Sequence, residues 1–156
     1  MIQVGDKAPD IDLRTLAGTP ISLSDLKGRA VIVFLLGGTM APAINSLLTA
    51  LTEHTDRFLD LDISPIAVLT KPEEQLGNYP QATSAPYLIM VDHNLSLHEQ
   101  FQGIDGKEVS VWLIDEHSVV IDTIPVLPPV ELVRLSAERA RKIHRRTVSN
   151  ENETVS

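Results

Sequence analysis

The chain has 156 residues, of which 43% are hydrophobic and 22% are charged, a composition typical of a single soluble globular domain with a packed core. Its formal net charge of −8 argues against a nucleic-acid-binding protein and against a protein drawn to an anionic membrane surface. The chain contains no cysteine, so disulfides, thiolate metal ligands and cysteine thiol chemistry are excluded.

The sequence carries no signal for export or membrane insertion. The segment Met1 to Asp6 lacks the basic and apolar regions of a signal peptide. The longest apolar run, Ala30 to Leu36, is about a third of the roughly 20 residues that a membrane helix needs. We therefore predict a cytoplasmic protein without membrane or nucleic-acid partners.

The pattern of the first segment, Val4 to Leu26, predicts an extended arm with turns. Ile11 and Leu13 alternate with polar residues, which is the period of a half-buried strand. The segment Ser24 to Gly28 predicts one helical turn closed by a glycine.

A strand, a glycine turn and a helix follow in immediate succession. Ala30 to Leu36 is a continuous apolar run, as expected of a strand buried on both faces. Gly37 and Gly38 end this strand, and Thr39 is a suitable helix N-cap. Apolar residues then recur at helical spacing from Ile44 to Phe58, which predicts an amphipathic helix.

The remaining elements are shorter. Four further strands are predicted, at Ile63 to Leu69, Tyr87 to Val91, Val109 to Ile114 and Val119 to Val126. Pro65 is tolerated because it lies near the beginning of the first of these strands. Short helical segments are predicted at residues 72–78 and 95–101. The last two strands have hairpin spacing, with Asp115 as the acceptor in the turn. Trp112 is predicted to lie in the core with its indole N–H satisfied by a neighbour.

Pro128 and Pro129 open a final predicted helix that extends to about Arg146. Its apolar stripe comprises Val130, Val133, Ala137, Ala140 and His144, and its basic residues are Arg139, Arg141, Lys142, Arg145 and Arg146. We predict that these cations form a solvated helix face, with a partner-docking patch as the alternative. Residues 147–156 are predicted to be a disordered tail.

The element order predicts one α/β domain over residues 1–146. Strands that alternate with helices and end in a hairpin and a helix favour a mixed central sheet with helices on both faces, a three-layer sandwich. No internal repeat interrupts this order.

Three segments carry a resemblance to a known family. They are VGDKAPD (residues 4–10) followed by ISLSDLKG (21–28), VIVF (31–34) followed by GGTMAPA (37–43), and WLID (112–115) followed by Val119 and Val120. These segments resemble the redoxin superfamily, and most closely its alkyl-hydroperoxide-reductase/thiol-specific-antioxidant (AhpC/TSA) branch, which includes the peroxiredoxins. The resemblance covers about residues 4–143 and implies a thioredoxin-like fold with a peroxiredoxin-type N-terminal arm.

The same resemblance implies that the active site is degenerate. Redoxins of the W-C-x-x-C type have two cysteines at the start of the helix, where this chain reads Met40-Ala-Pro-Ala43 behind Thr39. Peroxiredoxins of the T-x-x-C type would have threonine at Met40 and the peroxidatic cysteine at Ala43, and their arginine falls near Val109. Only the proline of this set is retained. The degenerate positions are Thr39, Met40, Ala41, Pro42, Ala43 and Val109.

We therefore predict a redox-inactive, non-enzymatic binding or scaffold module that acts through the degenerate active-site face, because that face meets partner proteins in active relatives. The candidate binding residues are Gly37, Gly38, Thr39, Met40 and Pro42. The predicted partner is an unidentified protein or a second copy of the chain in a homodimer. One alternative is a peroxiredoxin-like antioxidant oxidoreductase that uses non-cysteine groups or a cofactor, and another is a similar fold with an unrelated ligand.

No cofactor and no metal site is predicted. The densest cluster of possible metal ligands comprises Asp92, His93, His98 and Glu99, and its spacing matches no zinc signature. The histidines His54, His117 and His144 are isolated from one another, and we expect them at the surface or at the boundary of the core.

Overall fold

The structure is a computed structural model, and it describes residues 3–10, 12–15, 18–22, 25, 28–36, 41–70, 86–92, 109–124 and 133–143. In these ranges the strands are β1 (Asp12–Thr15), β2 (Pro20–Ser22), β3 (Ala30–Leu36), β4 (Ile63–Leu69), β5 (Leu88–Val91), β6 (Val109–Ile114) and β7 (Val120–Ile124). The helix α1 comprises Ala41–Leu59, and residues 133–143 are helical and are called α2.

The seven strands form one mixed sheet in the order β2-β1-β5-β4-β3-β6-β7. At its centre β3 is parallel to β4 and antiparallel to β6, and β4 is parallel to β5. Each of the six side chains from Val31 to Leu36 is at most 4% exposed. Because successive side chains of a strand point to opposite faces, this burial means that both faces of β3 are covered.

The two helices α1 and α2 cover the same face of the sheet. Side chains of both belong to one hydrophobic cluster, to which α1 contributes Leu47, Leu48, Ala50, Leu51 and Phe58, and α2 contributes Val133, Ala137 and Ala140. Phe34 of β3 meets Phe58 edge to face, with ring centroids 6.3 Å apart. The alternate side chains of β3 belong to a second cluster on the other face. The helical segments predicted at residues 72–78 and 95–101 lie outside the described residues.

The central strands confirm the predictions from sequence. The bounds Ala30–Leu36, Ile63–Leu69 and Val109–Ile114 are those expected. Pro65 is the third residue of β4, and the pairing of β4 with β5 begins only at Ile66. The N–H group that proline lacks is therefore not needed for a hydrogen bond between β4 and β5.

Other elements differ at their ends. The third predicted strand begins at Leu88 instead of Tyr87, and β7 begins at Val120, one residue later than expected. Val119 forms an isolated bridge with Lys7. The predicted stripe of the final helix is confirmed for Val133, Ala137 and Ala140, which are buried. Pro128, Pro129, Val130 and His144 lie outside the described ranges, as do the limits of the predicted domain and its predicted tail.

The arm expected at the start of the chain is built into the sheet. It forms β1 and β2, which pair antiparallel, and β1 continues the sheet beside β5. Residues 5–8 extend to the opposite edge, where the Gly5 amide donates to the Val120 carbonyl and the Val120 amide donates to the Asp6 carbonyl. The predicted helical turn closed by Gly28 is described only at Asp25 and from Gly28 onward, where Gly28 has a φ of 95°.

The parts of the chain described by the structure contain no helix that is long and apolar enough to cross a membrane.

Candidate functional site

The candidate site is the junction between β3 and α1. The strand ends at Leu36 and the helix begins at Ala41, at the centre of the sheet. Ala41, Pro42 and Ala43 are the first three residues of α1, where a proline is well tolerated. Gly37, Gly38, Thr39 and Met40, which complete the predicted site, lie outside the described residues. In open α/β sheets, the carboxyl end of a central strand is the usual position of a functional site.

The start of α1 is a favourable position for negative charge. A helix N-terminus has free amide N–H groups and the positive end of the helix dipole, and the first turn of this 19-residue helix contains no acidic residue. In a thiol protein this environment lowers the pKa of a cysteine and makes it a nucleophile. Ala41, Pro42 and Ala43 carry no ionisable group, so the first three residues of α1 offer no side chain whose pKa the helix N-terminus could lower.

Val109 lies next to this junction. It is the first residue of β6 and pairs with Leu36, the last residue of β3. The family resemblance predicts the arginine position near Val109, and Val109 is adjacent, in the sheet, to Leu36, which precedes the predicted turn. The register brings together two parts of the candidate site that are more than 60 residues apart in sequence.

The carboxyl edge of the sheet also contains Asp92, which follows β5 and is buried. Its backbone amide donates to the Leu69 carbonyl at the end of β4. His93, His98 and Glu99, the other members of the candidate ligand cluster, fall outside the described ranges. Within those ranges, no group of three or more potential ligands is close enough to hold a metal ion.

A contact that the sequence did not reveal fixes α1 on the sheet. The buried Tyr87 hydroxyl donates to the Leu48 carbonyl at 3.0 Å, and the Thr52 hydroxyl donates to the same carbonyl at 2.9 Å. Because Tyr87 directly precedes β5, its hydrogen bond attaches the first half of α1 to the sheet, whereas the Thr52 bond lies within the helix. The sequence feature that could have indicated this contact is Tyr87 itself, because a buried tyrosine hydroxyl needs a hydrogen-bond partner.

Among the residues that the structure describes, two buried side-chain atoms lack a hydrogen-bond partner, Asn45 Oδ1 and His54 Nδ1. Asn45 is in the second turn of α1, close to the degenerate positions. The sequence gave no reason to single out Asn45. His54 is half-buried and His117 is exposed, as predicted, and His144 lies beyond the described part of α2.

The β6–β7 hairpin confirms two residue assignments. The Trp112 indole N–H donates to Ser110 Oγ at 2.8 Å, and Trp112 is buried. Asp115 Oδ1 accepts hydrogen bonds from the amides of His117 and Val119 at 2.8 and 2.9 Å. Asp115 is therefore a structural turn acceptor, as its position predicted.

The mixed sheet with a central strand-to-helix junction and a closing hairpin defines a thioredoxin-like α/β protein. Residues 4–123 match the AhpC/TSA family, and the chain belongs to that family. It is 28% identical over 130 residues to peroxiredoxin Bcp of Bacillus subtilis (strain 168), an alignment that covers 77% of this chain and 83% of the relative. The family and the fold predicted from the sequence are thus confirmed.

Solved structures show the same fold. The crystal structure of peroxidoxin BcpB from Mycobacterium tuberculosis matches 92% of this chain and 99% of its own, with a TM-score of 0.77 at 21% identity. Xanthomonas campestris peroxiredoxin Q matches 91% of this chain and 99% of its own, with a TM-score of 0.76 at 13% identity.

Proposed function

We propose that this protein is a redox-inactive member of the AhpC/TSA family that acts as a binding or scaffold module through its degenerate active-site face. The observation that carries this proposal is the absence of cysteine from every position of a chain that belongs to the family. The nucleophile of thiol chemistry is a thiolate. Only cysteine side chains form thiolates, so this protein has no thiolate nucleophile.

The retained architecture supports a role for the face itself. The strand-to-helix junction is present, Val109 lies beside Leu36, and Tyr87 holds α1 on the sheet. The residues at the degenerate site, Met40 to Ala43, are apolar or small. A proline and short side chains lose little conformational entropy when they are ordered by a partner, which favours a docking surface.

The partner that we propose is an unidentified protein, and a second copy of the chain is the alternative occupant of the same face. The proposed location is the cytoplasm. Light scattering on the purified protein distinguishes a monomer from a homodimer. A dimer that Met40→Glu dissociates would place the second copy on this face.

The test of the proposal compares proteins captured by the wild-type chain with those captured by a Met40→Glu, Pro42→Asp double variant. The control variant, Gln3→Glu with Thr49→Glu, adds acidic charge at two exposed positions away from the turn. We expect the specific partners to be lost from the first variant and kept by the control. Partners that bind both variants equally would remove this face from consideration.

A further inference from the structure

A cleft of about 880 Å³ lies at the other end of the sheet from the degenerate turn. It opens beside Ala30 and Ile63, the first residues of β3 and β4, and is bounded by the β6–β7 turn and by α2. Seven residues of strand separate this cleft from the β3–α1 junction, a distance of roughly 20 Å at about 3.3 Å per residue. The cleft is therefore distinct from the degenerate active-site face at the β3–α1 junction.

The floor and one wall of the cleft are apolar. Ile63 and Leu113 are buried side chains of the first hydrophobic cluster that border it. Leu61, Ile121 and Ile143 are only partly buried against that cluster and leave part of their aliphatic surface in the cleft. A ligand that covers these side chains removes apolar surface from water, which is favourable.

The rim of the cleft is predominantly acidic. Among the described residues that line it, the ionisable side chains are the carboxylates of Asp62, Asp115 and Glu116, the guanidinium of Arg29 and the imidazole of His117. The His117 Nε2 atom lies 3.5 Å from Glu116 Oε1. The Asp115 carboxylate is engaged by the hairpin amides, whereas Asp62 and Glu116 are exposed.

The rim is also shaped by the backbone. The Gly28 amide donates to the Glu116 carbonyl, which joins the segment before β3 to the hairpin turn. The helix α1 ends at Leu59, three residues before Asp62, and a helix C-terminus attracts positive charge.

We propose that this cleft binds a short extended segment of a partner protein in which apolar residues alternate with lysine or arginine. The volume lies within the range of about 300 to 1,000 Å³ that is typical of binding clefts. Apolar side chains of the segment would cover Leu61, Ile121 and Ile143, and its cations would meet Asp62 and Glu116. This site is independent of the proposed function, because it shares no residue with the degenerate turn.

The test uses the full chain and a fluorescein-labelled hexapeptide of alternating leucine and lysine, with binding followed by fluorescence anisotropy. A leucine–glutamate hexapeptide of the same length is the control probe. We expect the lysine peptide to bind at least tenfold more tightly, and we expect its affinity to fall when the salt concentration rises from 50 to 500 mM, because exposed charges are then screened. Equal affinity for the two peptides would overturn the proposal.

Matched variants separate this cleft from general attraction to an acidic protein. Asp62→Asn with Glu116→Gln removes the two exposed carboxylates, and asparagine tolerates the φ of 58° at residue 62. Asp12→Asn with Glu53→Gln changes the net charge equally at exposed positions of β1 and α1. We expect the cleft variant to bind about three- to tenfold more weakly, since each exposed ion pair contributes little, and the control to bind like wild type. Equal effects in both variants would contradict a site in the cleft.

Two further variants distinguish other outcomes. The Met40→Glu, Pro42→Asp variant should bind the lysine peptide like the wild type, so the cleft and the degenerate face are tested separately. The basic segment of the chain itself, His144, Arg145 and Arg146, directly follows Ile143 and could compete with the peptide for the cleft. Replacing these three residues by alanine removes that competition. Unchanged affinity is expected. Affinity that rises threefold or more would assign the cleft to that segment and overturn the proposal.

Discussion

The body of the sheet and the turn at its centre differ in how they relate to the rest of the family. In the body, β3 is buried on both faces, α1 is attached through Tyr87, and the hairpin is closed by Asp115. At the junction between β3 and α1 the sequence has no cysteine, and the family resemblance implies that Met40 and Ala43 occupy the positions that carry thiol chemistry in relatives. The fold therefore depends on buried apolar contacts and satisfied hydrogen bonds, whereas thiol chemistry depends on a few residues at a helix end.

The largest expected effect concerns the body of the domain. Leu51→Ala removes a side chain that is 0% exposed on α1, and we expect it to lower the free energy of unfolding by about 3 to 5 kcal/mol because it leaves a cavity. Leu59→Ala, at a position of the same helix that is 40% exposed, should lower it by less than about 1 kcal/mol. Urea unfolding measures both variants. Similar losses in the two would contradict the assignment of the buried face of α1.

The second prediction concerns the electrostatics of the turn. Introducing cysteine by Ala43→Cys places a thiol in the first turn of α1, and Thr49→Cys places one at an exposed position in the middle of the same helix. The pH midpoint of alkylation by iodoacetamide reports the pKa of each thiol. We expect the midpoint of Ala43→Cys to be lower by about one unit, because the helix N-terminus stabilises the thiolate. Equal midpoints would contradict a stabilising effect of this helix N-terminus on a thiolate.

The third prediction concerns the link between α2 and the sheet edge. Arg139 Nη2 donates to Asp122 Oδ1 at 2.6 Å, and the Asp122 side chain is only 12% exposed. A double-mutant cycle with Asp122→Ala and Arg139→Ala should give a coupling free energy of about 1 kcal/mol, since Arg139 remains partly solvated.

The exposed pair Arg134 and Glu138, one turn apart on α2, is the control for that cycle. Its coupling should be at most about 0.5 kcal/mol, as is usual for exposed pairs at this spacing. A coupling at Arg134 and Glu138 as large as that between Arg139 and Asp122 would contradict a specific role for the latter.

The smallest effect is expected in the hairpin turn. Ser118 has a φ of 64°, a conformation that is unfavourable for residues with a Cβ atom. Ser118→Gly relieves this strain, and the greater entropy of glycine in the unfolded chain offsets part of the gain. We expect the free energy of unfolding to rise by about 0.5 kcal/mol, measured by urea unfolding. A decrease of similar size would mean that Ser118 is not strained in the native turn.

Much of the fold was predictable because its central strands are predominantly apolar. The strand β3 is an uninterrupted apolar run, whereas β4 contains Ser64 and Pro65 and β6 contains Ser110 near their beginnings. The bounds of all three followed from these runs and from the turn residues around them. The strand β2 was missed, since Pro20–Ser22 is too short to show a period and its pairing depends on β1. The formation of β2 depends on tertiary contacts, which a local sequence pattern does not predict.

The partner of Arg139 was also not predictable. Arg139 remains partly solvated, but it also pairs with Asp122, because the hairpin register brings Asp122 toward α2. The register changes between Leu113 and Ile114, so a simple alternation along β7 does not give the orientation of Asp122.

The candidate site was predictable only in part. The degenerate turn was located through the family resemblance, which names positions but gives no geometry. The pairing of Val109 with Leu36 required the sheet register. The cleft beside Ile63 and Ile121 could not be anticipated, because its walls come from elements that are distant in the sequence.

We propose that this member of the AhpC/TSA family performs no thiol chemistry, because it contains no cysteine. The direct measurement follows the consumption of hydrogen peroxide by the purified wild-type chain with dithiothreitol as reductant. We predict a rate equal to that of a protein-free control. A rate that increases in proportion to the protein concentration would contradict this account and favour an enzyme that uses other groups.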